Sequence, residues 1–216
     1  MAINIALDGP SAAGKSTIAK LLAKKLNYVH LDTGAMYRCV AYKAIHNGID
    51  LGDEDLVCEM ILKTEIDMKS DGSIYLDGVR ITNEIRTDEI SMGASKVSAH
   101  KRVRELLVAQ QQKMALQKGY IMDGRDIGTV VLPDAELKIF MTASAAARAK
   151  RRHLENLSKG FDSDLNQIIQ EIEQRDYQDT HREHSPLKKA DDAVVLDTSD
   201  LTIDEVVTKI EELLPL

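Results

Sequence analysis

Residues 3–22 read INIALDGPSAAGKSTIAKLL. Apolar residues alternate over 3–7 as in a strand, and those after the turn recur at helical spacing. Between them, the turn fits the pattern G-x-x-x-x-G-K-[ST], with Gly9, Gly14, Lys15 and Ser16 at its fixed positions. A strand, a glycine-rich turn and a helix in this order predict a loop that binds the phosphates of a nucleoside triphosphate.

Each fixed residue of this loop has a chemical task. Gly9 and Gly14 allow backbone dihedral angles closed to other residues, so that successive N–H groups turn inward toward phosphate oxygens. Lys15 would reach the β- and γ-phosphates, and Ser16 would bind the Mg²⁺ that accompanies ATP. A turn around a structural anion is the alternative, which the flanking strand and helix argue against. The expected triphosphate contacts are Gly9, Pro10, Ser11, Ala12, Ala13, Gly14, Lys15, Ser16 and Thr17.

The composition is that of a globular protein with one sizeable core. The 216 residues are 44% hydrophobic and 29% charged, with a net charge of −7. An acidic balance argues against a sequence-independent binder of nucleic acid or acidic membranes, because both need a basic face. No apolar run approaches the roughly 18 residues that span a bilayer, and the chain opens with a strand rather than a leader. We therefore expect a cytoplasmic protein with no nucleic-acid or membrane partner.

The cysteines and histidines show no spacing typical of metal ligands. Cys39 and Cys58 are isolated, and we expect both to be small core residues in a reducing compartment. The six histidines are expected to be solvated or to cap helices. No Ser-His-Asp or Cys-His set is evident either, so the chemistry needs no covalent enzyme intermediate.

Strands and helices alternate along the chain, which predicts a mostly parallel sheet of five strands in an α/β fold. The expected strands are 3–7, 28–31, 120–123, 137–141 and 193–196. The expected helices are one after the loop, 35–46, one capped by Asp53, 87–98, 100–118, one capped by Ser144, 162–184 and one opened by a Thr202–Glu205 capping box. Residues 65–86 differ, because short period-two runs flank Asp71-Gly72 and Asp77-Gly78, as in an antiparallel insert with hairpin turns.

Four polar clusters follow the expected strands directly. They occupy residues 9–16, 32–38, 123–126 and the stretch from 142 onward. The carboxyl ends of parallel strands lie at one edge of a sheet, where ligands of open α/β sheets bind. We therefore expect the four clusters to converge on a single crevice.

A second set of charges lies on the 162–184 helix. Arg175, Asp179 and Arg182 are spaced i, i+4, i+7 and so share one face of it. An exposed ladder of salt bridges is the alternative. Further arginines near strand ends are Arg38, Arg125 and those of 148–152. Several arginines around one crevice suit a donor and an acceptor phosphate together, which favours phosphoryl transfer.

At these segments the chain resembles a known family. GPSAAGKST at 9–17, DTGAMYR at 32–38, DGRDIGTVV at 123–131 and RDYQDTHR at 175–182 look like the four signature segments of bacterial-type cytidylate kinase. The resemblance runs from residue 2 to about residue 214 and implies the nucleoside monophosphate kinase form of the three-layer P-loop fold. It implies a core of 1–34, 99–150 and 162–216, a monophosphate-binding domain of 35–98 with its β insert near 65–86, and a short lid of 151–161.

The resemblance also implies roles for individual residues. The acceptor phosphate would be held by Arg38, Arg125 and Arg182. The ribose would be met by Arg175 and Asp179, and the base read by Ser95, Arg104 and Asp126. Thr33 and Tyr37 would complete the acceptor side, and Lys15, Arg125, Arg152 and Arg182 would be catalytic. Cytosine fits this set, because its exocyclic amine donates to a carboxylate, whereas uracil presents a carbonyl there.

The expected activity is therefore transfer of a phosphoryl group from ATP, with Mg²⁺, to CMP or dCMP, by a monomeric enzyme whose closing lid excludes water. One alternative is a kinase of the same fold with another acceptor, such as UMP, AMP or shikimate. The other is a nucleotide switch without an acceptor, although a small-GTPase-type switch would carry an N-K-x-D motif that this chain lacks.

Overall fold

The fold is that of a computed structural model, which describes residues 2–69, 71–158 and 160–215. Its central sheet has five parallel strands in the order β2-β6-β1-β7-β8. The strands are β1 (Ile5–Asp8), β2 (Val29–Asp32), β6 (Tyr120–Gly124), β7 (Leu137–Thr142) and β8 (Val194–Asp197). The five-stranded parallel sheet expected from the sequence is confirmed.

Helices cover both faces of this sheet and give a three-layer fold. They are α1 (Lys15–Leu26), α2 (Thr33–His46), α3 (Glu54–Ile61), α4 (Asp88–Val97), α5 (Lys101–Ala115), α6 (Ala145–Ser158), α7 (Leu165–His181) and α8 (Ile203–Glu212). Side chains alternate across a strand, so Ile5 and Leu7 pack with α1 and α8, whereas Ala6 faces the core formed with α2 and α5. Because both faces are covered, the central strand β1 is buried along its whole length.

The insert is a separate antiparallel sheet, as the sequence predicts. Its strands are β3 (Ile66–Met68), β4 (Ile74–Leu76) and β5 (Val79–Arg80), in that spatial order. Asp77 and Gly78 both have positive φ, 50° and 79°, which is the geometry of a two-residue type I′ hairpin turn.

Two predicted helices had boundaries that were wrong by three residues. The 162–184 helix begins at Leu165, because the Asp164 carboxylate accepts hydrogen bonds from the amides of Asn166 and Gln167 at 2.8 and 3.1 Å. It ends at His181, since Arg182 adopts extended dihedrals. The 100–118 helix ends at Ala115 and is followed by a turn with left-handed backbone at Lys118 and Gly119.

Strands β1 and β2 end at the same edge of the sheet as β6 and β7. In register, Asp8 of β1 pairs with Gly124 and Phe140, and Asp32 of β2 pairs with Asp123. Loops leaving this edge therefore begin side by side. Among the described helices, none has both the length and the apolarity needed to cross a bilayer.

Candidate functional site

The glycine-rich loop between β1 and α1 has the backbone that the sequence predicts. Gly9 and Gly14 have φ of 150° and 89°, and Ala12 also lies in the left-handed region at 59°. A Cβ added at Gly9 would lie 2.1 Å from the carbonyl oxygen of Met141, so the loop passes too close to β7 for any side chain there. Gly14 is the N-cap of α1, whose first amides point into the loop.

Lys15 crosses the loop and is almost completely buried. Its side-chain amine donates to the Pro10 carbonyl at 2.7 Å, and 5% of the residue is exposed. Burial, followed by repulsion from Arg125, lowers the pKa of Lys15 to about 7. Without a bound anion, the lysine is therefore only partly charged at neutral pH.

A carboxylate from β6 lies beside the loop. Ser16 donates its hydroxyl to Asp123 Oδ2 at 2.6 Å, and His30 Nε2 lies 2.6 Å from the other oxygen, Asp123 Oδ1. Burial acts to raise the pKa of Asp123, but the hydrogen bond and charge of His30 outweigh it and hold the pKa below its ordinary range. The expectation that every histidine is solvated or capping was wrong for His30, because β2 places its ring next to β6.

One crevice of about 1410 Å³ opens at this edge of the sheet. Its lining brings together residues from all four polar clusters and from the α4 and α7 helices. The predicted site residues that line it are Ser11, Ala12, Ala13, Gly14, Lys15, Ser16, Thr17, Thr33, Tyr37, Arg38, Ser95, Arg104, Arg125, Asp126, Arg152, Arg175, Asp179 and Arg182. Gly9 and Pro10 are not part of the lining. Gly9 packs closely against the Met141 carbonyl of β7, and the Pro10 carbonyl accepts from Lys15.

Arg125 and Asp179 form an ion pair in the lining of the crevice. The Nε of Arg125 donates to Asp179 Oδ2 at 2.7 Å, and both side chains are largely buried. Burial acts to raise the pKa of Asp179, but the charge and hydrogen bond of Arg125 hold it below its ordinary range. The pair is therefore ionised, and it joins the segment after β6 to helix α7.

Ser91 of α4 joins two arginines that are distant in sequence. Its hydroxyl oxygen accepts from Arg38 Nη2 and from Arg175 Nη1, each at 3.2 Å. Burial lowers the pKa of Arg175 to about 10, with further repulsion from Arg125 and Arg38. A concentration of like charges in a buried crevice favours the entry of an anion. Sequence reasoning missed Ser91, because nothing local marks a lone serine in a helix.

One part of the crevice lining, called the far wall below, consists of Asp126, Arg104, Arg182 and Tyr37. One carboxylate oxygen of Asp126 accepts from Arg104 Nη2, and its other oxygen lies 3.7 Å from Arg182 Nη2. The guanidinium carbon of Arg104 lies 5.4 Å from the ring centre of Tyr37. Within the described structure, four buried side-chain polar atoms have no hydrogen-bond partner: Tyr37 Oη, Arg104 Nε, Arg175 Nε and Arg182 Nη2. Because an unpaired buried donor is costly, their concentration in the lining of one crevice indicates a site for a polar ligand.

The arginines of 148–152 divide into two groups. Arg148 is buried and pairs with both oxygens of Asp176. It also donates to the Ser11 carbonyl of the phosphate loop at 3.0 Å. It therefore stabilises the loop without being part of the crevice lining. The expectation that it belongs to the phosphate-facing set was wrong, because α7 supplies a carboxylate that neutralises it. Arg152 does line the crevice, and it pairs with Asp88 Oδ1 at 3.1 Å.

Comparison with protein families gives a match along nearly the whole chain. The cytidylate kinase family model covers residues 5–215. A cytidylate kinase from Bacillus thuringiensis (strain Al Hakam) is 53% identical over 211 residues, covering 96% of this chain and 94% of the relative. A cytidylate kinase from Bacillus anthracis (strain A0248) matches to the same extent, at 53% identity over 96% of this chain and 94% of the relative.

Similar solved structures agree on the fold. Shikimate kinase from Bacteroides thetaiotaomicron superposes with a TM-score of 0.53 at 14% identity and covers 100% of both chains. An uncharacterised protein from Eubacterium ventriosum ATCC 27560 gives a TM-score of 0.54 at 14% identity, with coverage of 99% of this chain and 98% of its own. At such low identity these structures support the P-loop kinase fold alone. With the family model matched along the chain and half of the residues shared with its members, this protein belongs to the cytidylate kinase family.

Proposed function

We propose that the protein transfers the γ-phosphoryl group of ATP to the phosphate of CMP or dCMP, giving ADP and CDP or dCDP. Family membership supports a kinase with ATP as donor. The observation that carries the proposal is the buried Arg104–Asp126 pair, which lines the same crevice as the phosphate loop. A cleft with an amide-lined loop on one side and a carboxylate among arginines on the other suits a triphosphate and a nucleotide base.

The donor occupies the side of the crevice formed by residues 11–17. Backbone amides of the loop hold the β- and γ-phosphates, and Lys15 neutralises them. Lys15 leaves its contact with the Pro10 carbonyl for the phosphates, a stronger, charge-assisted partner.

Mg²⁺ fits the oxygen atoms next to this loop. Ser16 and Asp123 present a hydroxyl and a carboxylate that already touch at 2.6 Å, which is the oxygen chemistry that this ion prefers. No cluster of three or more His, Cys, Asp or Glu side chains suited to a metal occurs among the described residues. That agrees with an ion held mainly by phosphates, water and one or two protein oxygens. When bound, Mg²⁺ would supply charge neutralisation at the phosphates.

The acceptor phosphate enters the arginine-lined centre of the crevice. Arg38, Arg125 and Arg182 hold it, and Arg175 with Asp179 meets the ribose hydroxyls. Two of the four unpartnered polar atoms belong to this set, Arg175 Nε and Arg182 Nη2. A phosphate or hydroxyl oxygen would satisfy both atoms, and a phosphate would offset the burial and like-charge repulsion that lower the pKa of Arg175.

The base lies against the far wall. Asp126 accepts from the exocyclic amine of cytosine, and Ser95 and Arg104 donate to the ring acceptors. Thr33 and Tyr37 complete the acceptor pocket. Burial raises the pKa of Tyr37 to about 12, so its unpartnered hydroxyl keeps its proton and remains a donor.

Catalysis follows from positioning and charge. An acceptor phosphate oxygen attacks the γ-phosphorus, and the bond to the bridging oxygen of ADP breaks. Lys15, Arg125, Arg152 and Arg182 neutralise the charge that spreads over the moving group. Residues 151–161 act as a lid that excludes water, 35–98 as the monophosphate-binding domain, and 1–34, 99–150 and 162–216 as the core. The cytoplasmic location and the monomeric state stay predictions from the sequence.

The test is an assay of ADP release with a panel of acceptors: CMP, dCMP, UMP, AMP and shikimate. We expect CMP and dCMP to be phosphorylated far faster than the others. In Asp126→Asn, we expect kcat/KM for CMP to fall about 10- to 100-fold and most of the preference for CMP over UMP to be lost. The reason is that the asparagine side chain carries a donor NH2 group as well as an acceptor oxygen. The proposal fails if ATP is hydrolysed as fast without CMP as with it, or if another acceptor is preferred.

A further inference from the structure

Asp8 is the last residue of β1 and directly precedes the phosphate loop. It is buried, with 4% of the residue exposed. Both carboxylate oxygens are used: Oδ1 accepts from the Ile127 amide and Oδ2 from the Gly128 amide, each at 2.7 Å. These amides begin a single π-helical turn, Ile127–Val131, which lies more than a hundred residues away in sequence.

That turn follows directly on the two residues that face the acceptor. Arg125 and Asp126 occupy the positions just before Ile127, so the orientation of their backbone depends on where the turn is held. The contact with Asp8 is also tight. A Cβ added at Gly128 would lie 3.3 Å from Asp8 Oδ2 and 3.2 Å from Lys138 Cδ, so glycine is what lets the amide come so close.

The Asp8 carboxylate is buried and is engaged by the protein's own backbone. Both oxygens accept from backbone amides, and Lys15 directs its amine to the Pro10 carbonyl instead. Burial raises the pKa of Asp8 to about 6, with a further contribution from Asp126, while the two amides and Lys15 oppose that rise. The carboxylate is thus mainly ionised above neutral pH, where it is the stronger acceptor.

We propose that Asp8 is a positioning residue that fastens the Ile127–Val131 turn to the start of the phosphate loop, and so fixes the base-reading Asp126 relative to the donor. One side chain then fixes the position of residues 125–131 relative to the phosphate loop. This inference rests on the proposed function for the identity of the acceptor, but the contact itself is testable without any substrate.

The first test measures amide hydrogen exchange in the full-length protein without nucleotide. In Asp8→Asn, the side-chain amide offers one acceptor where the carboxylate offered two. We expect amides in 124–131 to exchange about tenfold faster, since a charge-assisted hydrogen bond is lost. Asp53→Asn is the matched control, because it removes one carboxylate charge at the α3 N-cap while asparagine still caps. Unchanged exchange at 124–131 in folded Asp8→Asn would overturn the proposal.

The second test separates positioning from general stability. For Asp8→Asn we expect KM for CMP to rise about tenfold and the CMP-over-UMP preference to fall, with a smaller change in KM for ATP, because the lost contact holds the Ile127–Val131 turn on the acceptor side. Gly128→Ala should show the same split if Asp8→Asn fails to fold, since it pushes on the contact from the other side. A parallel rise in both KM values would indicate a merely structural role.

If the unmodified protein does not phosphorylate CMP, the proposed function fails, and hydrogen exchange alone then decides the role of Asp8.

Discussion

Lys15 is expected to take up a proton when the triphosphate binds. In the free protein, burial and Arg125 lower its pKa to about 7. The phosphates of ATP add an attraction that outweighs burial and repulsion, and should return the pKa to about its ordinary value. At pH 8, a group with a pKa of about 7 is about 10% protonated, so binding should draw in about 0.9 proton. The uptake should fall to about 0.5 proton at pH 7 and about 0.1 at pH 6.

Isothermal titration calorimetry measures this uptake. MgATP is titrated at pH 8 in two buffers that differ in ionisation enthalpy, and the difference in observed heat gives the number of protons transferred. At this pH the triphosphate is fully ionised, so it contributes no proton of its own. Lys15→Arg is the control, because a guanidinium remains charged in both states and should take up none.

Two results would contradict the reasoning. An uptake below about 0.2 proton at pH 8 would mean that Lys15 is charged in the free protein despite its burial. An equal uptake in Lys15→Arg would assign the proton to another group. Agreement at pH 8 with no decline toward pH 6 would also be inconsistent with a pKa of about 7.

Two further substitutions test the walls of the crevice. Ser91→Ala should raise KM for CMP about three- to tenfold, because Arg38 and Arg175 lose their shared acceptor, whereas Ser91→Thr should restore it; steady-state kinetics that show no change would contradict this. Asp88→Asn should free Arg152 for the phosphates and raise kcat up to about threefold. The melting temperature should hardly change, since an exposed ion pair contributes at most about 1 kcal/mol to the free energy of unfolding. A fall in kcat would instead mean that the Asp88 contact helps the lid to close.

Much of the fold could be predicted from short-range patterns. The loop backbone follows from the glycines at 9 and 14, and the hairpin follows from Asp77-Gly78. The Thr202 side chain accepts from the Glu205 amide at 3.3 Å and its own amide donates back to Glu205 at 2.8 Å, as a capping box requires. Such features depend only on residues within a few positions of one another, so they can be predicted from the sequence alone.

Helix ends and the partners of buried charges were less predictable. Arg148 and Arg152 lie on the same predicted basic helix, yet one is neutralised behind the loop and the other lines the crevice. Their difference depends on which face of α6 meets Asp176 of α7, and that packing has no local sequence signal. The α7 start was missed because Asp164 competes with Asp162 as a cap and only the backbone dihedrals decide between them.

The sequence by itself determined the phosphate loop, the alternation of strands and helices, and the segments that mark the family, because each of these rests on contiguous residues. Only the tertiary structure decided that His30 meets Asp123, that Ser91 joins Arg38 to Arg175, and that Asp8 meets the amide of Gly128. The physical reason is the strand order β2-β6-β1-β7-β8, which places segments distant in the chain side by side at one edge of the sheet.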